Sequence, residues 1–83
     1  MKLDIRYFAW LRERVGTAAE EVETEAMTVA ALIDELRARD EGYAYAFSDP
    51  GSIRAAIDHK LVDLDAPLDG AREVAFFPPM TGG

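Results

Sequence analysis

The sequence contains no cysteine. A disulfide framework, a thiolate zinc site, a cysteine-bound iron–sulfur cluster and a cysteine nucleophile are excluded. A ferredoxin-type electron carrier goes with them. Histidine occurs once, at His59. It stands between Asp58 and Lys60 at an expected strand turn, where a lone histidine reads as a solvated surface residue. No Ser/His/Asp or Cys/His arrangement is recognisable. Lysine is scarce, only Lys2 and Lys60, and 9 Lys and Arg face 16 Asp and Glu, for a net charge of −7. Phosphate-backbone binding needs a basic face, so nucleic acid is not an expected partner. The acidic balance leaves two readings open, a composition bias or steering toward a basic partner surface. No apolar run approaches the length needed to span a bilayer. The start, Met1-Lys2-Leu3-Asp4, carries no apolar run behind a charged lead, so the chain is expected in the cytoplasm and away from membranes. There is no glycine-rich phosphate-binding loop. Asp63, Asp65 and Asp69 lack EF-hand spacing. Neither a bound cofactor nor a metal is expected.

What is present is a core. Of 83 residues, 49% are apolar, enough for one small domain with a real interior. Residues 2–9 alternate, with Leu3, Ile5 and Tyr7 on one face and Asp4, Arg6 and Phe8 on the other, which predicts a half-buried strand. Trp10 to Gly16 is irregular or a short helical turn closed by Gly16. Residues 20–26 set Glu20, Glu21, Glu23 and Glu25 around Val22 and read as an acidic edge strand. Thr28 is a candidate N-cap. After it, Val29, Leu32, Ile33 and Leu36 fall at i, i+3, i+4 and i+7, an amphipathic helix to about Arg39. Gly42 to Phe47, with Tyr43 and Tyr45, fits either a short helix or an irregular aromatic segment. Ser48-Asp49-Pro50-Gly51 is a turn. Residues 53–58 and 60–64 read as strands joined at Asp58-His59, residues 65–70 as a loop, and 73–77 as the last strand. One helix cannot cover both faces of a sheet. An α+β architecture results, a mixed sheet with the main helix on one face.

Pro78-Pro79 ends the last strand, because proline offers no N–H to a ladder, and stiffens the root of the C-terminal segment. The sequence closes on Met80-Thr81-Gly82-Gly83. Two glycines at a free carboxyl terminus carry no side chains and can thread a slot that admits only backbone. The expectation is a folded body over residues 1–77 and an extended, reactive arm over 78–83, delivered into another protein's active site. A frayed end is the bland alternative. A free α-carboxyl has a pKa of about 3.3–3.7 and is a poor electrophile at neutral pH. It must be activated, for example as an acyl-adenylate, and this chain has nothing with which to bind ATP. The ATP-using partner must be another polypeptide. Phe8 and Phe77 fall on the sheet face away from the helix. They form a partner-binding patch or lie under the chain's own loops.

These residues resemble the small subunits of molybdopterin synthases, in the ubiquitin-like β-grasp family of sulfur carriers. The likeness spans nearly the whole chain. It rests on Tyr7-Phe8-Ala9 with Leu11-Arg12-Glu13, on Thr28-Val29-Ala30-Ala31-Leu32, on Pro67-Leu68-Asp69-Gly70, and above all on Glu73-Val74-Ala75-Phe76-Phe77-Pro78-Pro79-Met80-Thr81-Gly82-Gly83. The resemblance implies a β-grasp fold and a chain that is no enzyme on its own but the sulfur-donating subunit of a heteromeric synthase. A ubiquitin-activating-like enzyme would adenylate Gly83 using ATP, and sulfur would then replace the adenylate to give a thiocarboxylate. With Gly82, Gly83 would enter the large synthase subunit and donate sulfur to a cyclic pyranopterin. Phe8, Phe76, Phe77, Pro78, Pro79, Met80 and Thr81 would contact the partners. The absence of cysteine fits, since sulfur rides on the carboxyl carbon. The alternatives are a sulfur carrier for thiamine or another thio-product, a ubiquitin-like protein modifier, and an interaction module without tail chemistry.

Overall fold

The computed structural model describes residues 1–79. Alternation makes the first strand. In β1 (Lys2–Tyr7), Leu3, Ile5 and Tyr7 are fully buried while Lys2, Asp4 and Arg6 face out. The strand stops two residues before the expected end because Ala9 takes a left-handed φ of 55° and starts α1 (Trp10–Val15). The segment left open between irregular and helical is thus a helix, and it buries Leu11. Gly16, at φ 97°, closes it by donating its N–H to the Arg12 carbonyl at 2.9 Å. A left-handed C-terminal residue is a position glycine fills without a Cβ penalty.

The acidic strand β2 (Ala19–Glu23) pairs antiparallel with β1 and lies at the sheet edge, as its charges suggested. It ends before the expected residue 26. The Thr24 hydroxyl accepts the Ala26 N–H at 3.0 Å and donates to Glu35, which turns the backbone out of the ladder. The main helix, α2 (Val29–Arg37), is capped by Thr28, whose hydroxyl accepts the Ala31 N–H at 3.1 Å. Its buried stripe is Val29, Leu32, Ile33 and Leu36.

The undecided aromatic segment is α3 (Glu41–Ala46), capped by Asp40, whose carboxylate accepts the N–H groups of Gly42 and Tyr43. Gly42 lets α3 approach α1, since a Cβ there would come within 2.8 Å of the Arg14 carbonyl oxygen. A 3₁₀ turn at Pro50–Ser52 leads into β3 (Arg54–Ile57) and β4 (Lys60–Val62). Asp58 and His59, at φ 48° and 73°, make the two-residue hairpin between them. Two positive φ values give the turn the twist its strands need. Asp58 also accepts the Arg72 and Glu73 N–H groups at 3.1 and 2.9 Å, tying the hairpin to the next strand. That strand, β5 (Glu73–Phe77), pairs parallel with β1 and antiparallel with β3.

The sheet order is β2-β1-β5-β3-β4, mixed, with β5 at its centre. The core joins the inner sheet face, from Leu3, Ile5, Tyr7, Ala55, Val74 and Phe76, to side chains from all three helices. This is the α+β β-grasp arrangement, with two short helices beside the expected one. Among the described residues no helix is long and apolar enough to cross a membrane.

Candidate functional site

Strand alternation decides what β5 can offer a partner. Val74 and Phe76 are fully buried on the inner face, so Glu73, Ala75 and Phe77 point to the outer one. The register aligns Arg6 with Ala75, Ala75 with Ala56, and Ala56 with Leu61 across four strands. Small alanines at the centre leave a shallow groove lined by Arg6, Phe8, Ala56, His59, Ala75 and Phe77. Phe8 is 50% exposed and Leu61 70%. The Phe8 N–H donates to the Phe76 carbonyl at 3.1 Å, which holds Phe8 alongside the end of β5, next to Phe77. Among the described residues no helix covers this face, so the open patch is favoured over burial beneath the chain's own loops. The outer face thus shows large apolar side chains at both ends of the groove, the kind of surface that interaction sites have.

Charge frames the apolar part. Arg6 Nε lies 3.5 Å from Glu73 Oε1, and His59 Nε2 lies 3.8 Å from Glu73 Oε2. Arg54 stands opposite Phe77. His59 is exposed on its turn, as its sequence position suggested.

Phe76 requires correction. Expected among the partner contacts, it is fully buried. Its ring stacks on Tyr7 at 6.3 Å and meets Phe47 edge-on at 5.0 Å. It anchors the end of β5 from inside, and Phe77 is the residue of that end that faces outward. Pro78 and Pro79 come next, half-buried, without ladder pairing. Met80, Thr81, Gly82 and Gly83 lie outside the described residues. Leu61 was not foreseen as part of the patch. It sits in a three-residue strand, too short for alternation to declare its face.

A second polar group braces the root from within. Tyr7 and Tyr43 both donate to Glu20 Oε2, at 2.8 and 2.6 Å, and Arg39 Nη1 lies 3.5 Å from Glu20 Oε1. Burial, and then the bond to Glu20, push the Tyr43 hydroxyl up to about 12 and the Tyr7 hydroxyl further in the same direction. Both phenols therefore stay protonated donors. Next to Tyr7 in sequence, Phe8 starts the open patch, so this bracing fixes where the patch begins. Among the described residues no three histidines or carboxylates gather to hold a metal.

The sequence and the fold are similar to those of known proteins. The chain is 44% identical to the molybdopterin synthase sulfur carrier subunit of Escherichia coli, over 98% of this chain and 99% of that protein. It is 31% identical to small archaeal modifier protein 3 of Haloferax volcanii over the full length of both. In three dimensions it superposes on SAMP1 of the same archaeon with a TM-score of 0.73, at 22% identity and full coverage of both chains, a likeness of fold. The model of the ThiS family matches residues 5–83, and the chain belongs to that family.

Proposed function

We propose that this protein is a sulfur carrier of molybdenum cofactor biosynthesis, the small subunit of a molybdopterin synthase. The observation that carries the reading is the near-full-length identity to a curated protein of that name. The open face beside the arm's root supplies a physical reason for it. An enzyme that takes the C-terminal segment would meet Phe8 and Phe77 at its root.

The chemistry starts from the carboxylate. A Gly83 oxygen attacks the α-phosphorus of ATP on a separate activating enzyme, and pyrophosphate leaves. A sulfur nucleophile then attacks the acyl carbon, and AMP leaves. The resulting thiocarboxylate is carried into the large subunit, where its sulfur bonds to a cyclic pyranopterin and water then cleaves the acyl carbon–sulfur bond, leaving sulfur on the pterin and returning the arm to a carboxylate. Gly82 is glycine because a channel gripping the backbone leaves no room for a Cβ. The sequence has no glycine-rich phosphate-binding loop, so in this reading ATP is the activating partner's substrate. We assign the work to the cytoplasm, where the activating partner finds its ATP.

The test is ATP-dependent adenylation of Gly83 by the activating enzyme. Intact mass, with fragmentation to separate sulfur-for-oxygen exchange from methionine oxidation, reads the thiocarboxylate. Deleting Gly83 draws the carboxylate back by about 3.5 Å, and misplacement by even 1 Å can cost roughly a hundredfold in rate. The variant should fold and fail to be activated. Wild-type rates of activation and transfer in that variant would make the protein an interaction module. A second reading, a protein modifier, is favoured by the 31% relative of that name. It predicts isopeptide bonds between Gly83 and target lysines in the same incubation supplemented with cell extract.

A further inference from the structure

The far edge of the sheet carries a different kind of surface. The Tyr7 N–H bonds to the Ala18 carbonyl and the Thr24 N–H to the Met1 carbonyl. In an antiparallel ladder such residues alternate with ones whose N–H and C=O point the other way. Ala19, Glu21 and Glu23 therefore turn their backbone groups to the free side of β2. The Thr17 hydroxyl donates to the Ala19 carbonyl at 3.0 Å. Among the described residues nothing pairs with the outward backbone groups of Glu21 and Glu23, which form a template for another strand. The opposite edge, β4, has only three residues and begins with Lys60, which is how an edge is blunted.

The inner side of β2 is also unfinished. Val22 stands opposite Leu3, yet Leu3 is fully buried and Val22 only half-buried. The gap beside it is a cleft of about 320 Å³ between β2 and α2, floored by Val22, Leu32 and Leu36 and rimmed by Glu35 and Arg39. On the outer side, Glu21 and Glu23 are exposed. Lys2 lies 3.9 Å from Glu21 and the N-terminal ammonium donates to Glu23 at 3.3 Å, two exposed ion pairs that a docked cation would share or displace.

We propose that β2 and this cleft accept an extended, basic segment of a partner protein as a sixth strand, a docking site separate from the arm. Period 2 sets its pattern. Residues bonded opposite Glu21 and Glu23 put their side chains beside those carboxylates and are lysine or arginine. The residue between them faces Val22 and fills the cleft with a valine, isoleucine or leucine. Main-chain bonds give affinity and alternate side chains give specificity, as in other cases of strand addition. Arg6 pairs with Ala19 at the end of β1 nearest Phe8, and Lys2 pairs with Glu23 at the other. The docked strand therefore lies at the sheet edge, away from Phe77 on the central strand.

The experiment is an NMR titration of the full chain with a capped Lys-Val-Lys-Val-Lys peptide at physiological salt. Shifts confined to β2 and the facing side of α2, with slowed amide exchange at Glu21 and Glu23, are expected. Glutamate in place of the peptide lysines should abolish binding. The Glu21→Lys/Glu23→Lys variant, altered only at exposed positions, should weaken the lysine peptide roughly tenfold or more and restore binding of the glutamate peptide. Three results would each overturn the proposal. They are no binding, shifts spread over the acidic surface without slowed exchange, and equal binding of a peptide with glycine in place of valine. The charges of β2 would then serve only to repel other edges.

Discussion

Ala9 holds its backbone at φ 55°, ψ −133°, a region that glycine visits freely and alanine does not. Strain of this kind costs on the order of 1–3 kcal/mol. Glycine would remove it while adding about 0.5–1 kcal/mol of unfolded-state entropy. Ala9→Gly is therefore expected to stabilise the protein by about 1 kcal/mol, read as a higher urea midpoint. A lower midpoint would show that the Ala9 methyl contributes packing that outweighs its strain. The two tyrosines on Glu20 give a second expectation, in pH. The folded state raises both phenol pKa values above the ordinary 10.0, Tyr43 to about 12. Their stabilisation is complete below pH 10 and drains as pH rises through 10 toward 12, since the unfolded chain releases those protons first. Urea midpoints across that window should fall more steeply for the wild type than for Tyr7→Phe/Tyr43→Phe. At neutral pH the variant starts lower, because phenol bonds to a carboxylate contribute roughly 1.5–3 kcal/mol each. Equal slopes would mean that the hydroxyls titrate as they do in water.

At the scale of elements, α2 was readable because its apolar spacing matches one helical face and Thr28 supplies the cap. Leu32 and Leu36 are nearly inaccessible, 1% and 2% exposed. Truncating either to alanine should cost about 2–5 kcal/mol, and a loss under about 1 kcal/mol at both would misplace the helix face. The hairpin and β5 were readable for the corresponding reason in period 2. α3 was not, because Tyr43, Tyr45 and Phe47 recur every second residue and imitate a strand. In the fold Tyr43 and Phe47, four apart, go inward, while Tyr45 turns out against the Arg14 guanidinium, 4.0 Å from its ring. Asp40 decides between the two patterns. Its carboxylate satisfies two N–H groups of the first turn, so Asp40→Ala should cost about 0.5–2 kcal/mol and loosen α3 first, visible as faster amide exchange at Gly42 and Tyr43. The same alternation that misled in α3 would have resolved Phe76 from Phe77. Adjacent strand residues face opposite sides, so the reading that set Phe77 outward already sends Phe76 inward; Phe76 joined the partner contacts only through the motif that the resemblance carried.

The molecule as a whole divides its work between the two faces of one sheet. The inner face is closed by three helices and supplies stability. The outer face is left to Phe8, Leu61 and Phe77, and β5 ends there at Pro78-Pro79. Phe76 and Phe77 test this division because they are neighbours of one residue type on opposite sides. Phe76→Ala empties a site packed by Tyr7 and Phe47 and should cost about 3–5 kcal/mol of stability. Its partner affinity, once corrected for the unfolded fraction, should change little. Phe77→Ala should remain folded yet lose about 2 kcal/mol or more against the large synthase subunit, as anchoring aromatics commonly do, a weakening of roughly thirtyfold. Leu61→Ala should move in the direction of Phe77→Ala, by less, because leucine brings a smaller anchor. The measurements are a urea titration and a binding titration on the same preparations. If Phe77→Ala lowers stability as far as Phe76→Ala and leaves affinity intact, the outer face belongs to the fold and the docking surface lies elsewhere.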